Sequence, residues 1–237
     1  MQNQPILPDD AEQVLRQLGL APQVILHEAL HSGWHDHCLS REQDMDGFLA
    51  YRPTTRANML VDRIYPHLTD LIEAYDPEKQ RLMPRDTDNG RATELWCGPA
   101  LYAKVKRVHD TVRRSKPDED LGYDGIEEVD VVEFGLPRNV PTKRVLKQLY
   151  PQVSPLFPND PMIRADEKGD AANRLCLICA FDLDLTEENI QRPRIGVCDA
   201  KRWLWTRPLP ELETDAIARL SPNLGEKIDE LRKRRQA

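Results

Sequence analysis

The stretch NRLCLICAFDLDL, residues 173–185, constrains the fold of this chain more than any other feature of its sequence. It is a short apolar run rich in residues that favour strands, and it is well below the roughly 20 residues that a membrane span needs. The segment RIGVCDAKRWLWTRPL, residues 194–209, can pair with it and can itself turn at Asp199-Ala200. Two such neighbouring strands predict a sheet.

The first third of the chain is patterned for helices. The pair Asp9-Asp10 can cap a short helix that ends at Gly19, and apolar residues recur at helical spacing from 23 to about 39. A third helix is predicted over residues 56–75, capped by a threonine at its start and kinked by Pro66. The N-terminal part is therefore predicted to be helical.

The middle and the end of the chain change character. Residues 76–91 are polar and turn-rich, and ATELWCGPALYAKVKRV (92–108) predicts two strands around Gly98-Pro99. A helix is predicted to begin at Pro141-Thr142, and a polar helix or helix pair closes the chain. We predict an α+β fold with N-terminal helices, a central antiparallel sheet of hairpins, a crossing helix and a C-terminal helix. The predicted divisions are 1–76 (helical), 77–210 (α+β core with the antiparallel sheet) and 211–237 (C-terminal polar helix).

Composition excludes several classes of protein. Hydrophobic residues make up 40% of the 237 residues and charged residues 31%, which indicates a folded domain rather than a disordered chain. There is no pattern of a secretory signal, and the five cysteines are not spaced as a disulfide framework, so we expect a cytoplasmic protein without a membrane partner. The net charge of −7 argues against nucleic-acid binding over the whole surface, although basic residues cluster at 104–116, 138–147 and 231–235.

The segment VILHEALHSGWHDH, residues 24–37, contains the pattern His-Glu-x-x-His. On a helix, His27 and His31 lie one turn apart on the same face and can share a zinc ion, with Glu28 placed to activate a bound water. Over this short segment the chain resembles the zincin metallopeptidase motif. The resemblance implies zinc as a cofactor, His27 and His31 as its ligands and Glu28 as the general base.

Three features favour a histidine-bearing helix without a metal. Residues 1–26 are predicted to be helix and loop, whereas zincins place a substrate-binding edge strand upstream of the motif. His35 continues the series of histidines four residues apart, which is also the pattern of a polar helix face. No third protein ligand is indicated, because several acidic residues are equally placed: Glu42, Asp44, Asp46 and Glu73.

Two further pairs of residues in the predicted strands invite a chemical interpretation. Cys176 and Cys179 form a Cys-x-x-Cys pair, but residues three apart on a strand point to opposite faces, so the two thiols cannot bind one metal ion. We interpret them as core residues. Trp203 and Trp205 are predicted to share one face of the last strand, which favours core packing over base stacking.

The basic residues predict an anion-binding surface as an alternative to catalysis. The predicted helix start at Pro141 places free backbone amides and partial positive charge beside several cations. The competing interpretation is ordinary capping with solvated charges. The candidate residues for binding an anion or nucleic acid are Arg52, Arg56, Lys104, Lys106, Arg107, Arg138, Lys143 and Arg144.

Four stretches together resemble a family of uncharacterised bacterial proteins. They are TTRANMLVDRI (54–64), LYAKVKRVHD (101–110), RNVPTKRVLKQL (138–149) and CAFDLDLTEENIQRPRIGVCDAKRWLW (179–205). The family is similar to genes found beside helix-turn-helix regulators with a peptidase-like domain, an arrangement typical of toxin–antitoxin or phage-defence pairs. The resemblance implies a protein partner encoded nearby, with nucleic acid as a further ligand, and it implies no catalytic residue.

The sequence therefore leads to one expectation and two alternatives. We expect a component of a bacterial toxin–antitoxin or anti-phage defence pair that acts through a partner protein. The first alternative is a zinc-dependent metallopeptidase that uses HEALH, residues 27–31. The second is a nucleic-acid-binding regulator that uses the basic clusters.

Overall fold

The structure is a computed structural model, and it describes residues 9–51, 53–86, 93–107, 175–183, 190–198 and 203–236. Within these ranges, six helices accompany a six-stranded mixed sheet. The α+β class predicted from the sequence is confirmed, with helices at the N-terminal side and a helix at the C-terminal end.

Four helices precede the sheet: α1 (Ala11–Leu18), α2 (Leu20–Gln43), α3 (Met45–Ala50) and α4 (Pro53–Tyr75). Asp10 caps α1 as predicted, because its side chain accepts a hydrogen bond of 2.9 Å from the backbone N–H of Gln13. Gly19 separates α1 from α2 with φ of 82°, a conformation that glycine adopts at little cost. The short helix α3 is an addition to the three predicted helices, and Asp44 caps it by accepting a 3.0 Å hydrogen bond from the backbone N–H of Gly47.

The strands lie side by side in sequence order: β1 (Leu82–Asp86), β2 (Thr93–Cys97), β3 (Leu101–Arg107), β4 (Leu175–Leu183), β5 (Ile190–Cys198) and β6 (Trp203–Pro208). The predicted hairpin around Gly98 is confirmed, as is the antiparallel pairing of β4 with β5 and of β5 with β6. The polar segment 76–91 was not predicted to contain a strand, yet β1 forms there and pairs with β2.

The pairing of β3 with β4 is parallel, which differs from the antiparallel sheet expected from the sequence. Apolar patterns indicate that strands exist, but the direction of two neighbours depends on the connection between them. Residues 108–174 make that connection here, and they lie outside the described residues. The predicted crossing helix after Pro141 lies in the same range.

One hydrophobic cluster joins the helices to one face of the sheet. It contains Ile25 and Leu68 from the N-terminal helices, Leu177 and Ile195 from the sheet, and Ile228 from the C-terminal part. All five are buried. The three sequence divisions therefore contribute side chains to a common core, and their burial supplies most of the stabilisation of the described fold.

The opposite face of the sheet carries a smaller buried cluster: Trp96, Tyr102, Cys176, Ile178 and Ala180. Cys176 belongs to this cluster and Cys179 to the main core, which confirms that the two thiols point to opposite faces.

The prediction that Trp203 and Trp205 share a face is wrong. Trp203 packs on the smaller cluster and Trp205 in the main core, because the β5–β6 pairing shifts its register between Val197 and Cys198.

Two helices, α5 (Thr214–Leu220) and α6 (Pro222–Gln236), follow the sheet. They pack against each other, and α6 also packs on α4 and α2. This arrangement brings the C-terminal cations of α6 to the histidine-bearing helix α2. Within the described ranges, no helix combines the length and the apolar composition of a membrane-spanning segment.

Candidate functional site

The His-Glu-x-x-His pattern lies in the buried middle of α2. Pro22 occupies the first turn of this helix, where its missing N–H removes no intrahelical hydrogen bond. From there α2 runs against α4, α6 and β5, so that most of its circumference is covered. His27 and Glu28 are both buried, at 5% and 1% exposed. The motif is therefore placed between packed elements, and its chemistry depends on what those elements present to it.

Glu28 is bound by two arginines of α6. Nη2 of Arg232 donates to Oε1 of Glu28 at 2.6 Å, and Nη2 of Arg235 donates to Oε2 at 2.7 Å. We call these three residues the Glu28 clasp. Burial by itself would raise the pKa of Glu28, but hydrogen bonds from His27 and Arg232 and the charges of both arginines lower it to about 2. The carboxylate is therefore ionised and both of its oxygens are engaged.

Arg232 is held in place by its own second set of contacts. Its Nη2 also donates to the backbone carbonyl of Leu212 at 2.7 Å, and its Nη1 donates to Oγ1 of Thr214 at 3.4 Å. These partners lie before and at the start of α5. Because the guanidinium is fixed by α5 and its preceding loop, the clasp joins α2, α5 and α6.

The two histidines of the motif lie together, as their spacing predicts. The ring centroids of His27 and His31 are 4.5 Å apart, and Nδ1 of His27 is 3.3 Å from Oε1 of Glu28. Burial lowers the pKa of His31 to about 4, and the positive charge of Arg235 contributes to the same shift. The imidazole of His31 is therefore neutral at pH 7.

These contacts bear on the zinc interpretation. A general base needs a carboxylate oxygen that is available to a water molecule, whereas both oxygens of Glu28 accept hydrogen bonds from arginines. The positive charge that lowers the pKa of His31 would also oppose a divalent cation. Among the residues that the structure describes, no three or more metal-binding side chains converge. The arrangement favours ion pairing over metal chemistry, and the zinc site stays a prediction of the sequence motif alone.

Asp36 forms a second polar contact on α2 that sequence reasoning missed. Its Oδ2 is 2.8 Å from Nε2 of His67 on α4, and its Oδ1 accepts a hydrogen bond of 3.1 Å from Nη2 of Arg234 on α6. These partners are 31 and 198 positions away in the chain, so no local sequence signal indicates the contact. Asp36 and Glu28 together fix α6 along α2.

The cations of the basic cluster 231–235 form ion pairs with acidic residues of the chain. Arg232 and Arg235 bind Glu28, Arg234 binds Asp36, and Lys233 pairs with Asp229 one turn earlier on α6. The cluster therefore stabilises the helical layer, and its charges are largely compensated within the chain.

The structure places only part of the predicted anion-binding set. Lys104 on β3 faces Glu94 on β2, with Nζ 3.5 Å from Oε1, so this cation has an internal partner. Arg56 lies in α4, and Lys106 and Arg107 lie in β3. The structure describes the backbone of these three residues but not their side chains. The other members lie outside the described residues: Arg52, Arg138, Lys143 and Arg144.

Several side chains that sequence reasoning offered as third zinc ligands lie away from the motif. Glu42, Asp44 and Asp46 are exposed at the C-terminal end of α2 and the start of α3, about four turns beyond His27.

Comparison with protein-family models, with characterised proteins and with solved structures finds no match to this chain.

Proposed function

We propose that this chain is one component of a bacterial toxin–antitoxin or anti-phage defence pair and that it acts by binding a partner protein. The observation that supports a partner is an exposed apolar surface at the end of α2 and in α3. We call it the α3 corner, and its apolar members are Leu39, Met45, Leu49 and Tyr51. Their side chains are 39%, 44%, 60% and 49% exposed.

Exposed apolar residues concentrate at the α3 corner. In the described part of the chain seven large apolar side chains are exposed, and four of them belong to this corner. The other three are scattered over α2, β1 and α5: Leu20, Met83 and Leu220. A single exposed apolar residue is ordinary in a folded protein, whereas a local group of them is typical of a protein-binding surface.

The α3 corner is anchored to the core. Phe48 of α3 is buried, and its ring meets the edge of His37 of α2 at 5.2 Å, while His37 stacks on Trp34 at 5.2 Å. Met45 and Leu49 are four residues apart on α3 and so share one of its faces. A surface that is fixed before binding loses little conformational entropy when a partner arrives, which favours recognition.

The binding role is favoured over the peptidase alternative by the Glu28 clasp. The side chain that would have to act as the base is ionised and bound by Arg232 and Arg235. The described residues therefore offer an accessible apolar surface, while the chemistry that the sequence suggests is engaged in ion pairs.

The test is expression of this gene, of its neighbouring gene, and of both together in a bacterial host. We expect one of the two genes to arrest growth when expressed alone, and the pair to relieve the arrest and yield a copurifying complex. A neighbouring gene with a premature stop codon is the control for dosage and plasmid effects. Normal growth in every case, without a complex, would contradict the proposal.

A further inference from the structure

We infer that the α3 corner binds a protein surface whose centre is apolar and whose rim carries lysines and arginines. The inference names the chemistry of the partner and so rests on the proposed function for its biological use. Its physical basis is the charge around the apolar side chains. Within residues 39–51, Glu42, Asp44 and Asp46 are exposed, whereas the cation of this stretch, Arg41, is half-buried.

The acidic residues interleave with the apolar ones along the chain. Glu42 stands three residues after Leu39, with Arg41 between them, and Met45 lies between Asp44 and Asp46. A partner that covers Met45 would therefore meet the neighbouring carboxylates of Asp44 and Asp46 with its own rim. Protein interfaces commonly combine such an apolar centre with a polar rim, and opposite charge in the rim speeds association and selects the partner.

A second copy of this chain is a poor occupant of the same surface. Symmetric dimers place the same patch of both subunits face to face. At the α3 corner such a contact would bring Glu42, Asp44 and Asp46 close to their own copies, and like charges in a contact are unfavourable. The charge of the corner thus selects a different protein over self-association.

The charge of the whole chain acts in the same direction. Its formal net charge is −7, with 40 acidic and 33 basic residues. The cations of α6 that come closest to α2 are already paired with Glu28 and Asp36. The net charge therefore favours association with a basic partner over an acidic one.

Two synthetic peptides test the inference without knowledge of the natural partner. Both are fluorescently labelled amphipathic helices with the same leucine face, flanked in one by lysines and in the other by glutamates. Binding to the full chain is measured by anisotropy at low and at physiological salt. We expect the lysine-flanked peptide to bind, more weakly as salt rises, and the glutamate-flanked peptide not to bind.

Variants then locate the binding. Leu49→Ser should weaken binding of the lysine-flanked peptide at least about tenfold, because a buried leucine contact is lost. Leu220→Ser removes an exposed leucine of α5 and is the matched control, for which we expect wild-type affinity. Asp46→Lys should also weaken binding of the lysine-flanked peptide. The same variant should bind the glutamate-flanked peptide more tightly than the wild type does. Circular dichroism of each variant verifies that the fold is retained.

Three results would overturn the inference. These are wild-type affinity of Leu49→Ser, equal binding of both peptides, and a concentration-dependent dimer of the chain that Leu49→Ser dissolves. The proposed function fails separately. A complex with the neighbouring gene product that Leu49→Ser and Asp46→Lys leave intact would refute the surface alone. Peptide binding at the corner without any growth phenotype or complex would refute the two-gene function alone.

Discussion

Arg235 donates a hydrogen bond of 2.7 Å to Glu28, a carboxylate 207 positions earlier in the chain. With Arg232 on the other oxygen, the glutamate of the His-Glu-x-x-His pattern anchors the last helix to the second. The side chain that resembles a catalytic base therefore acts as a structural ion pair. Both arginines are about one-fifth exposed, at 21% and 19%, so the pairs are only partly screened by solvent.

Glu28→Gln should destabilise the fold substantially. The substitution keeps the size of the side chain but removes the charge that compensates two partly buried guanidinium groups, and the expected loss is about 3 kcal/mol in the free energy of unfolding. Urea denaturation followed by circular dichroism measures it. Asp229→Asn is the matched control, because its pair with Lys233 is exposed and contributes little. Equal stabilities of the two variants would refute the structural role of the clasp.

The Glu28 clasp should also make stability depend on acid pH. The pKa of Glu28 is about 2 in the folded protein against an ordinary value of 4.5. A folded pKa below the unfolded one means that the contribution is complete above pH 4.5 and is lost as the pH falls towards 2. The loss amounts to about 3 kcal/mol. Urea midpoints measured across this range should fall more steeply for the wild type than for Glu28→Gln, and parallel curves would contradict the assignment.

His31 should add a second dependence at higher pH. Its pKa is lowered from 6.5 to about 4, so between these values the unfolded chain takes up a proton that the folded protein does not. Stability should therefore decrease as the pH falls from 6.5 to 4, by at most about 3 kcal/mol. His31→Asn should flatten this part of the curve. An NMR titration of the His31 ring checks the pKa directly, and a midpoint near 6.5 would contradict the prediction.

Zinc should not bind stoichiometrically to the purified protein. Glu28 is engaged with two arginines, and the charge of Arg235 opposes a cation beside His31. Metal analysis of protein purified without a tag or a chelator, wild type beside His27→Ala/His31→Ala, measures this. One zinc ion per chain in the wild type, lost in the folded double variant, would restore the peptidase interpretation.

Gly33→Ala should destabilise the packing of α2 on α4. A Cβ at this position would lie 2.6 Å from Cγ1 of Ile64 and 2.7 Å from its Cα, so the helices would have to separate. We expect a loss of about 1–3 kcal/mol, whereas the same change on an exposed helix would add up to about 1 kcal/mol of stability. Adding Ile64→Ala should not restore the stability, because the contact with the Ile64 backbone remains and truncating this buried side chain itself costs about 2–5 kcal/mol. Thermal unfolding of the wild type and of the two variants measures these losses, and a Gly33→Ala protein more stable than the wild type would contradict the close approach.

Local patterns in the sequence were enough to predict much of the described fold. The apolar spacing of residues 23–39 predicts α2, although the helix extends from Leu20 to Gln43. The side chain of Asp10 and the alternation of Cys176 and Cys179 behave as predicted, because capping and strand alternation depend only on near neighbours. The strand β1 was missed because its sequence, LMPRD, contains a proline and two charges within a polar stretch, and because it forms by pairing with β2.

What the sequence by itself determined is the type of most elements and the side chains that they bury, since helical and strand periodicities are properties of consecutive residues. Only the tertiary structure decided that β3 and β4 run parallel. It also decided that Trp203 and Trp205 lie on opposite faces of the sheet, because of the register shift in the β5–β6 pairing. It also decided the chemistry of His-Glu-x-x-His. The spacing within the motif determines which side chains share a face of the helix. The environment of Glu28, however, is set by Arg232 and Arg235, which reach it only when α6 packs on α2. Charge pairing over such sequence distances follows from packing and has no local signature.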